Sequence, residues 1–379
     1  MARVLIVGAG FFGSVLAERI AEDAGLPVTV IDRREHVGGN CWSEVDRSTG
    51  VEFHKYGSHI FHTSSEEVWK YVSRFTAFNE YRHVVWTTFQ NRVYSMPINL
   101  GTINAYYGKN LSPSEAHAFI QEELGRENIS QPHNLEEKAV SLIGRPLYEA
   151  FIREYTIKQW SKEPVELPAD IITRLPVRFS YNNRYFFDTY EGIPLEGYGK
   201  LFERLLAHDK ITVRLGTDYA DMAQSAPPRD TLIIWTGAID AFFDYALGQL
   251  EWRTMDFEEQ RFDLPDFQGA TVMNYADAAV PYTRIHEFKH YHPEREDTGK
   301  TLIFKEYSRF AQRGDEPYYP VDTRANRELF ARYQDLARTR AANVIFGGRL
   351  GNYKYYDMDD AIMAALACYR DVVVPRLRA

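Results

Sequence analysis

The sequence predicts an α/β fold with additional α+β elements, and two patterns lead to this prediction. Residues 3–7 form a short apolar run that passes directly into a glycine-rich turn and an amphipathic stretch, and a second apolar run follows at 28–31. This order is the strand–helix–strand opening of a Rossmann-like domain. Further along, helical periodicity dominates 65–160, and alternating aromatic and β-branched residues dominate 251–310. We therefore expect a Rossmann-like domain with an inserted helical domain and an antiparallel sheet domain.

Each of these domains is expected to combine separate stretches of the chain. The Rossmann-like domain is expected to be discontinuous because apolar strands that end in glycine turns return at 231–237 and 344–349. The expected boundaries are 1–64 with 193–250 and 335–379 for the Rossmann-like domain, 65–80 with 98–170 for the helical domain, and 81–97 with 171–192 and 251–334 for the sheet domain.

Local signals place the individual elements. Ser64-Ser65, Ser112-Pro113 and Asn134 each precede an acidic first turn and an amphipathic stretch, and they predict helix starts. The other expected elements are a hairpin within 84–96, sheet strands within 172–190, and a last helix over about 358–373.

The composition of the 379 residues is that of a folded globular protein. The chain is 45% hydrophobic and 26% charged, which excludes a mainly disordered, collagen-like or disulfide-scaffold protein. A net charge of −9 disfavours nucleic acid as a partner, since the phosphate backbone attracts basic surfaces. The two cysteines, Cys41 and Cys368, fit no metal or redox spacing, and no apolar run reaches the roughly 20 residues that cross a bilayer. We expect a cytoplasmic protein with no membrane partner.

The first glycine cluster predicts a dinucleotide site. Gly8 permits a tight turn after the first strand, Gly10 lets the backbone approach a pyrophosphate, and Gly13 allows the helix to pack closely on the strand. The helix then offers free amides and a positive dipole end to the phosphates. Asp32, at the end of the second strand, is placed to accept a hydrogen bond from a ribose hydroxyl. The alternative is a glycine turn that binds no ligand.

Two later glycine pairs favour FAD over NAD as the dinucleotide. Gly38-Gly39-Asn40 follows Asp32 closely, as in the extended FAD fingerprint of glutathione-reductase-like and amine-oxidase-like flavoproteins. Gly347-Gly348-Arg349 resembles the C-terminal segment that returns to the flavin in such folds, and a plain turn is the alternative for this pair alone. No second strand-borne GxGxxG occurs, so we expect no separate NAD(P)H domain.

Three histidines within nine residues, His54, His59 and His62, form a second candidate site. Neither a cysteine nor a coherent carboxylate cluster accompanies them, which disfavours a metal. Structural roles and a position facing the flavin or substrate both stay open.

A third candidate site lies within 151–190, where aromatic and cationic residues crowd together. Aromatic rings suit sugar faces and nucleobases, and loop 160–168, with two prolines, is expected to be a mobile lid. Arg174 and Arg178 flank a Leu-Pro pair, so either can reach a ligand, and Arg284 supplies a second cation. Arginine suits a diphosphate because its planar fork donates paired hydrogen bonds. Surface ion pairs are the alternative for each arginine.

Ten motifs, taken in order, carry a family resemblance. They are GAGFFG at 8–13, GGN at 38–40, HKYGSHIFH at 54–62, NLEEKAVSLIG at 134–144, YTIKQW at 155–160, TRLPVRF at 173–179, NNRYF at 182–186, PYTRIHE at 281–287, DEPYYP at 315–320 and GGRLGNYKYYDM at 347–358. Over essentially the whole length, the chain resembles the bacterial UDP-galactopyranose mutases. The first motif is shared by many flavoproteins, whereas the later ones are specific.

The resemblance implies a flavin-dependent isomerase that converts UDP-galactopyranose to UDP-galactofuranose by ring contraction, with no net redox change. In this family, nitrogen-5 of the reduced FAD attacks the anomeric carbon and UDP leaves. The sugar opens through a flavin iminium, recloses through a different hydroxyl and regains UDP. The resemblance also implies FAD that is active when reduced, an external reductant such as NAD(P)H, and a homodimer.

The site residues follow from the resemblance by position. Arg174, on a mobile loop, and Arg284 correspond to arginines that hold the diphosphate, and with His59 they are the implied catalytic residues. Phe151 and Tyr155 correspond to aromatics that bracket uracil. The implied substrate-binding residues are Phe151, Tyr155, Thr156, Trp160, Arg174, Tyr185, Asn274, Arg284, Tyr319, Tyr355, Asp357, His62 and His83. The implied FAD-binding residues are Gly8, Gly10, Phe12, Gly13, Asp32, Arg33, Gly39, Asn40, His59, Gly348, Arg349, Asp357 and Met358. No metal is expected.

Two positions depart from some members of the family. His83 stands where some relatives carry Asn, and Asp32 replaces a Glu. Two other functional classes stay open. An FAD-dependent oxidase of the amine-oxidase type needs no diphosphate clamp, and a non-catalytic nucleotide-sugar sensor binds its ligand irrespective of flavin redox state.

Overall fold

Strands and helices alternate in the first part of the chain and again near its end. The structure, a computed structural model, describes residues 3–127, 129–171, 177–223 and 231–378. Its strands are β1 Arg3–Val7, β2 Val28–Ile31, β3 Ser43–Val45, β4 Glu52–His54, β5 Phe61–Thr63, β6 Val85–Phe89, β7 Arg92–Met96, β8 Tyr190–Gly192, β9 Ile211–Arg214, β10 Thr231–Trp235, β11 Trp252–Phe262, β12 Val272–Tyr275, β13 Arg284–Glu287, β14 Thr301–Phe310, β15 Tyr319–Pro320 and β16 Val344–Phe346. Its helices are α1 Phe11–Asp23, α2 Glu66–Val72, α3 Leu100–Tyr107, α4 Pro113–Glu127, α5 Leu135–Ile143, α6 Arg145–Phe151, α7 Arg153–Trp160, α8 Gly197–Leu205, α9 Tyr219–Ala223, α10 Ile239–Phe242, α11 Arg324–Arg340, α12 Gly348–Gly351, α13 Met358–Cys368 and α14 Val374–Arg378.

A five-stranded parallel sheet, ordered β16-β10-β1-β2-β9, forms the predicted Rossmann-like domain. The neighbouring strands β1, β10 and β16 come from three distant parts of the chain, as the returning glycine-ended strands predict. Val15, Leu16 and Ile20 of α1 are fully buried in the core beneath the sheet. Because all strands run parallel, their carboxyl ends share one edge, and the glycine turn after β1 lies there.

The second large sheet has seven strands in the order β15-β11-β14-β13-β12-β6-β7. The predicted hairpin is present as β6 and β7, with Val85 opposite Met96. Strands β11 to β14 pair antiparallel, whereas β6 and β12 run parallel, with Val85 beside Val272. The parallel pair is possible because no hairpin joins β6 to β12, so chain connectivity does not fix their relative direction.

Helices α3 to α6 pack around a separate apolar cluster that includes Ile103, Ile120, Val140 and Leu147. Two predicted helix starts are confirmed by capping bonds. Ser65 Oγ accepts a hydrogen bond from an amide in the first turn of α2, and Asn134 Oδ1 accepts one in α5. Among the described residues, no helix combines the length and the apolar character that crossing a bilayer requires.

The expectation of strands across 172–190 is wrong for the part of this stretch that the structure describes, 177–190. That part contains isolated bridges at Arg178 and Arg184, and a strand, β8, begins only at Tyr190. Aromatic and β-branched alternation signals strand propensity, but here the rings pack individually along a polar loop. The last predicted helix is present as α13, continued by a short π-helical segment over Tyr369–Val373.

Candidate active site

A cavity of about 490 Å³ opens at the carboxyl edge of the parallel sheet. Its wall includes the loop between β4 and β5, helix α7, one face of the large sheet, the loop before β8, and the turn before α13. The predicted site residues that it brings together are His59, His62, His83, Tyr155, Tyr185, Asn274, Arg284, Tyr319, Arg349, Tyr355, Asp357 and Met358.

The glycine-rich turn beside this cavity is shaped by close backbone approach. A Cβ atom at Gly8, where φ is +108°, would lie 1.9 Å from Thr236 Oγ1, and one at Gly13 would lie 2.1 Å from the Gly8 carbonyl oxygen. At Gly10, by contrast, the nearest described atom to a Cβ would be Gly39 Cα, at 3.9 Å. The space in front of Gly10 is therefore open.

Helix α1 begins at this open space. Within the described ranges, no side chain caps its N-terminus at Gly10, so its first amides keep their donors for an anion. An uncapped helix end facing open space between two glycines is the cradle that a dinucleotide pyrophosphate requires. The residues present fit FAD at this position.

Asp32 closes β2 and holds the glycine turn. Its Oδ2 accepts a hydrogen bond from the Ala9 amide at 2.8 Å, and its Oδ1 accepts one from the Arg34 amide at 3.0 Å. The carboxylate is buried, so these bonds fix both the turn and the chain that leaves β2.

The predicted FAD residues after Asp32 belong to a small polar network. Arg34 Nη2 donates to Asn40 Oδ1 at 2.8 Å and to Glu316 Oε2 at 2.8 Å. Arg33 is exposed and donates to the same Glu316 at 2.7 Å. Glu316 therefore connects the β2 loop to the segment that precedes β15.

The late glycine pair packs against the first motif. Gly348 has a φ of +78°, and a Cβ there would lie 3.3 Å from Phe12 Cβ. Phe12 is buried against this turn, which brings α12 next to the N-terminus of α1. Arg349 Nε donates to the Tyr356 carbonyl oxygen at 3.1 Å, and its guanidinium lines the cavity.

His59 projects into the cavity from the loop after β4. Its Nδ1 lies 2.8 Å from the Gly57 carbonyl oxygen, which only an N–H can bond. Enclosure in the cavity lowers the pKa of His59 to about 4. The neutral ring thus carries its proton on Nδ1 and keeps a lone pair on Nε2.

His62 and His83 form a polar corner of the same cavity around Phe186. His62 stacks on the Phe186 ring with centroids 3.7 Å apart, and its Nδ1 lies 2.8 Å from Asp188 Oδ2. His83 is buried, its Nδ1 lies 3.0 Å from the Tyr81 hydroxyl, and burial lowers its pKa to about 3.

His54, the first member of the histidine cluster, has a structural role. It is buried, and its Nδ1 accepts a hydrogen bond from the His59 amide at 2.9 Å. The grouping of possible metal ligands that the described ranges contain is Asp266, Glu287 and His290, and it includes none of the cluster.

The predicted uracil and lid residues lie on α6 and α7. Tyr155 reaches the cavity wall, whereas Thr156 is buried and does not line the cavity. Phe151 lies in the apolar core of the helical region, where other aromatic rings enclose it. The centres of the Phe151 and Tyr94 rings are 5.0 Å apart. Trp160 ends α7. The substrate roles of Phe151, Thr156 and Trp160 stay predictions.

The two arginines near the predicted lid have different outcomes. Arg174 lies outside the described residues. Arg178 is buried, donates to the Asn182 carbonyl oxygen at 3.1 Å, and lies 4.2 Å from the centre of the Phe187 ring. Arg178 therefore braces its own loop and does not line the cavity.

Tyrosines and one amide supply further polar groups. The Tyr319 and Tyr355 rings stack 5.6 Å apart, and half of the Tyr355 side chain is exposed. Loss of water around the two hydroxyls raises the pKa of both, which stay protonated. Tyr185 is 47% exposed at the cavity mouth. Asn274 Oδ1 is buried with no partner among the described atoms, as expected of a group that meets a ligand. Asp357 and Met358 lie on the wall at the start of α13.

Arg284 is the principal cation of the cavity. Its Nε lies 3.2 Å from Glu306 Oε1, its Nη2 donates to the Tyr155 hydroxyl, and 28% of its side chain remains exposed. Burial opposes the charge most strongly, but Glu306 and the neighbouring tyrosines together outweigh it and raise the pKa of Arg284. Burial also opposes the charge of Glu306, and Arg284 with His286 lowers the pKa of that carboxyl to about 2.

Sequence reasoning missed Glu306. Arg284 and Glu306 face each other across β13 and β14, a register that no short motif encodes. The available signal was indirect, since a buried arginine requires a carboxylate partner.

Sequence reasoning also missed two cations that hold α7. Lys158 Nζ donates to the carbonyl oxygens of Asp277 and Val280, each at 3.1 Å. Arg253 Nη1 donates to the Trp160 carbonyl oxygen at 3.4 Å. Lys158 lies within the YTIKQW motif, which was available as a signal, whereas Arg253 lies in no motif.

Comparisons with families and curated proteins give a consistent result. A family model described as UDP-galactopyranose mutase matches residues 150–355, and one described as NAD(P)-binding Rossmann-like domain matches 6–75. The chain is 42% identical over 371 residues to a dTDP-fucopyranose mutase of Escherichia coli, covering 97% of each chain. It is 43% identical over 363 residues to a probable UDP-galactopyranose mutase of Klebsiella pneumoniae, covering 96% of this chain and 92% of the relative. A UDP-galactopyranose mutase of Mycoplasma pneumoniae is 30% identical over 390 residues, covering 96% and 94%.

Solved structures share the fold. A crystal structure of reduced UDP-galactopyranose mutase aligns with a TM-score of 0.77 at 15% identity, over 99% of this chain and 94% of that chain. Wild-type putrescine oxidase bound to putrescine aligns with a TM-score of 0.57 at 11% identity, over 98% and 99%.

Proposed function

The chain belongs to the UDP-galactopyranose mutase family and is a flavin-dependent isomerase with FAD as its cofactor, and from this premise we propose that it converts UDP-galactopyranose to UDP-galactofuranose. One observation carries the choice of substrate class. Arg284, a cation paired with Glu306, opens onto a cavity whose wall also contains expected FAD-binding residues, among them His59, Arg349 and Met358. A nucleoside diphosphate requires such a cation, and an amine substrate would be repelled by it.

Arg284 binds the diphosphate of the substrate. Its Nε faces Glu306 and its Nη2 faces Tyr155, so Nη1 is the nitrogen directed to a phosphate oxygen. The hydroxyls of Tyr319 and Tyr355 are protonated at neutral pH and can donate to the same phosphates. Arg174 supplies the second cation of the clamp, as the family resemblance implies.

These groups matter most when the bond to the sugar breaks. When bound and reduced, FAD supplies the nucleophile that takes the sugar from UDP. Negative charge then grows on the departing diphosphate, and donors already fixed around it stabilise that charge without reorganising. Arg284, Tyr319 and Tyr355 are held in this way by contacts with the protein.

The polar corner of the cavity receives the sugar. His59 presents a lone pair at Nε2, and the Nδ1 of His62 is occupied by Asp188, so that Nε2 is the free nitrogen of that ring as well. Asn274 adds a free carbonyl oxygen. Acceptors of this kind suit a sugar whose hydroxyls donate hydrogen bonds.

Three further properties belong to this proposal. NAD(P)H is the class of external reductant, and the active species is a homodimer, of about twice the 43.9 kDa chain mass. A cytoplasmic location agrees with Cys41 and Cys368 being free thiols. Light scattering on the purified holoenzyme and anaerobic titration with NADH and NADPH test the first two properties.

A second substrate deserves a direct comparison because the dTDP-fucopyranose mutase is as similar to this chain as the UDP-galactopyranose mutase. dTDP-fucopyranose differs in three places: a methyl group on the base, a missing ribose hydroxyl, and a missing hydroxyl on sugar carbon 6. Each difference removes or blocks a polar contact, so a site that uses those contacts discriminates strongly between the UDP-sugar and the dTDP-sugar.

The test is a comparison of kcat/KM for UDP-galactofuranose and dTDP-fucofuranose with chemically reduced holoenzyme, followed by chromatography. We expect a preference of about tenfold or more for the UDP-sugar, the effect of one or two polar contacts. A preference for the dTDP-sugar would assign the second substrate. Failure to convert either sugar would overturn the proposed function.

A further inference from the structure

Ser58, His286 and Glu306 form a continuous chain of hydrogen bonds along one wall of the cavity. Ser58 Oγ bonds to His286 Nδ1, and His286 Nε2 lies 2.9 Å from Glu306 Oε2. The three residues come from the loop before β5, from β13 and from β14. None of them is among the catalytic, substrate-binding or FAD-binding residues that the family resemblance implies, although Ser58 and His286 lie within its motifs, and all three line the cavity.

An ion pair connects this chain to Arg284. Glu306 Oε1 accepts a hydrogen bond from the Thr283 hydroxyl at 3.1 Å and lies 3.2 Å from Arg284 Nε. His286 and Glu306 are almost completely buried, whereas Ser58 is only half-buried at the cavity surface. A polar surface group is thus connected to the principal cation through two buried side chains.

The direction of each hydrogen bond follows from the charges. Arg284 and His286 keep the buried Glu306 carboxyl ionised, and burial lowers the pKa of His286, so its ring is neutral. A neutral imidazole has one N–H, and an ionised carboxylate accepts only from a donor. The proton of His286 is therefore on Nε2, and its Nδ1 accepts from the Ser58 hydroxyl.

This arrangement controls which atoms of Arg284 are available. A carboxylate with two free oxygens pairs with a guanidinium through two parallel hydrogen bonds. Such a pair between Glu306 and Arg284 would use Nη2 beside Nε, so that only Nη1 would remain for a ligand in the cavity. His286 bonds to Oε2, and Glu306 faces Arg284 with its other oxygen, Oε1, which lies 3.2 Å from Nε.

We propose that Ser58 and His286 are positioning residues that hold Glu306 in a one-oxygen contact with Arg284 and so keep the terminal nitrogens of Arg284 available for the diphosphate. Ser58 acts one step further away: by donating to Nδ1, it holds His286 in the tautomer that donates to Glu306. This inference rests on the proposed function, since it assigns Arg284 to diphosphate binding.

The test measures UDP binding to oxidised holoenzyme by isothermal titration calorimetry, beside kcat and KM of the reduced enzyme. His286→Leu keeps the bulk but removes both nitrogens, whereas His286→Gln keeps one donor near the position of Nε2. We expect His286→Leu to weaken UDP binding by about 10- to 100-fold and to raise KM, and His286→Gln to recover to within about fivefold of the parent. Ser58→Ala should weaken UDP binding by about three- to tenfold with unchanged FAD content.

The matched control is His290→Gln, which alters another partly buried histidine paired with carboxylates, outside the cavity. It should bind UDP as the parent does. If His286→Leu fails to fold, the test depends on Ser58→Ala, with His286→Gln as the variant that keeps a donor. Parent-like UDP affinity in Ser58→Ala then overturns the proposal. Equal UDP affinity in folded His286→Leu and the parent also overturns it. A parent enzyme that neither binds UDP nor converts the sugar would overturn the proposed function instead.

Discussion

Lys158 Nζ lies 3.3 Å from the carbonyl oxygen of Tyr282, which joins helix α7 to the loop that leads into β13. The same ammonium group bonds to the carbonyl oxygen of Tyr275, at the end of β12, and to two further carbonyl oxygens of that loop. Arg284 begins β13 two residues later and bonds back to Tyr155 of α7. The position of the cavity's principal cation therefore depends on a contact between two distant parts of the chain.

Lys158→Met should show this dependence. The substitution keeps most of the side-chain length but leaves four carbonyl oxygens without their donor, which should lower the free energy of unfolding by about 1–3 kcal/mol. KM for the nucleotide sugar should rise more than kcat falls, because the loop carrying Arg284 loses its support. Urea unfolding and steady-state kinetics measure the two effects. Lys300→Met, which removes an exposed ion pair with Asp263, is the control, and an equal loss in both variants would contradict this role.

Arg284→Ala should remove most turnover and leave the flavin absorption spectrum unchanged. The lost charge-assisted contacts correspond to a decrease of roughly 30- to several-thousand-fold in kcat/KM. Arg309→Ala removes another arginine paired with two carboxylates, on the neighbouring strand β14 but outside the cavity, and should have little effect. Near-normal turnover of the Arg284 variant with reduced flavin would rule out its diphosphate role.

Gly10→Ala should fold but lose FAD. A Cβ atom at Gly10 meets no described atom closer than 3.9 Å, so the chain tolerates it, yet it occupies the space that the cradle leaves open. Absorption at the flavin maximum per protein, with circular dichroism, separates the two effects. Gly125→Ala, in α4 with no described neighbour within 4 Å, should keep its FAD and gain up to about 1 kcal/mol in stability. Full FAD content in Gly10→Ala would place the cofactor elsewhere.

His83→Asn should change how stability depends on pH. Burial lowers the pKa of His83 to about 3, while the unfolded chain titrates this group near its ordinary 6.5. Between these values the unfolded state binds the extra proton, so this group's contribution is present above pH 6.5 and is lost as pH falls. As pH falls through the range between these two pKa values, the free energy of unfolding of the variant should decrease by about 1.4 kcal/mol less per pH unit than that of the parent. Urea unfolding at several pH values measures the slope, and parallel slopes would mean that His83 is not buried as a neutral ring.

The parts of the fold that were predictable from the sequence are local in the chain. The turn at Gly8 and Gly10, the acid at Asp32, and the β6–β7 hairpin each depend on residues within a short stretch, and the structure contains all three elements. Returning strands were also predictable, because their apolar runs end in glycine turns.

The parts that were missed depend on register and on burial. Glu306 meets Arg284 only because β13 and β14 pair with that offset, and His286 lies on the same face two residues later. Phe151 is an aromatic residue of the kind that stacks on nucleobases, but in the structure it packs among other rings in the core of the helical region. From a single sequence, an aromatic residue that packs in a helical core is not distinguishable from one that binds a nucleobase, because both occur at the same helical spacing.

The central claim is a ring contraction that needs reduced FAD but consumes no reductant. The most direct measurement is chromatographic conversion of UDP-galactofuranose to UDP-galactopyranose by the purified yellow protein, with and without dithionite. We expect many turnovers per FAD after a single reduction, and none with the oxidised protein. Conversion that is independent of flavin redox state, or no conversion in either state despite bound FAD, would contradict the account.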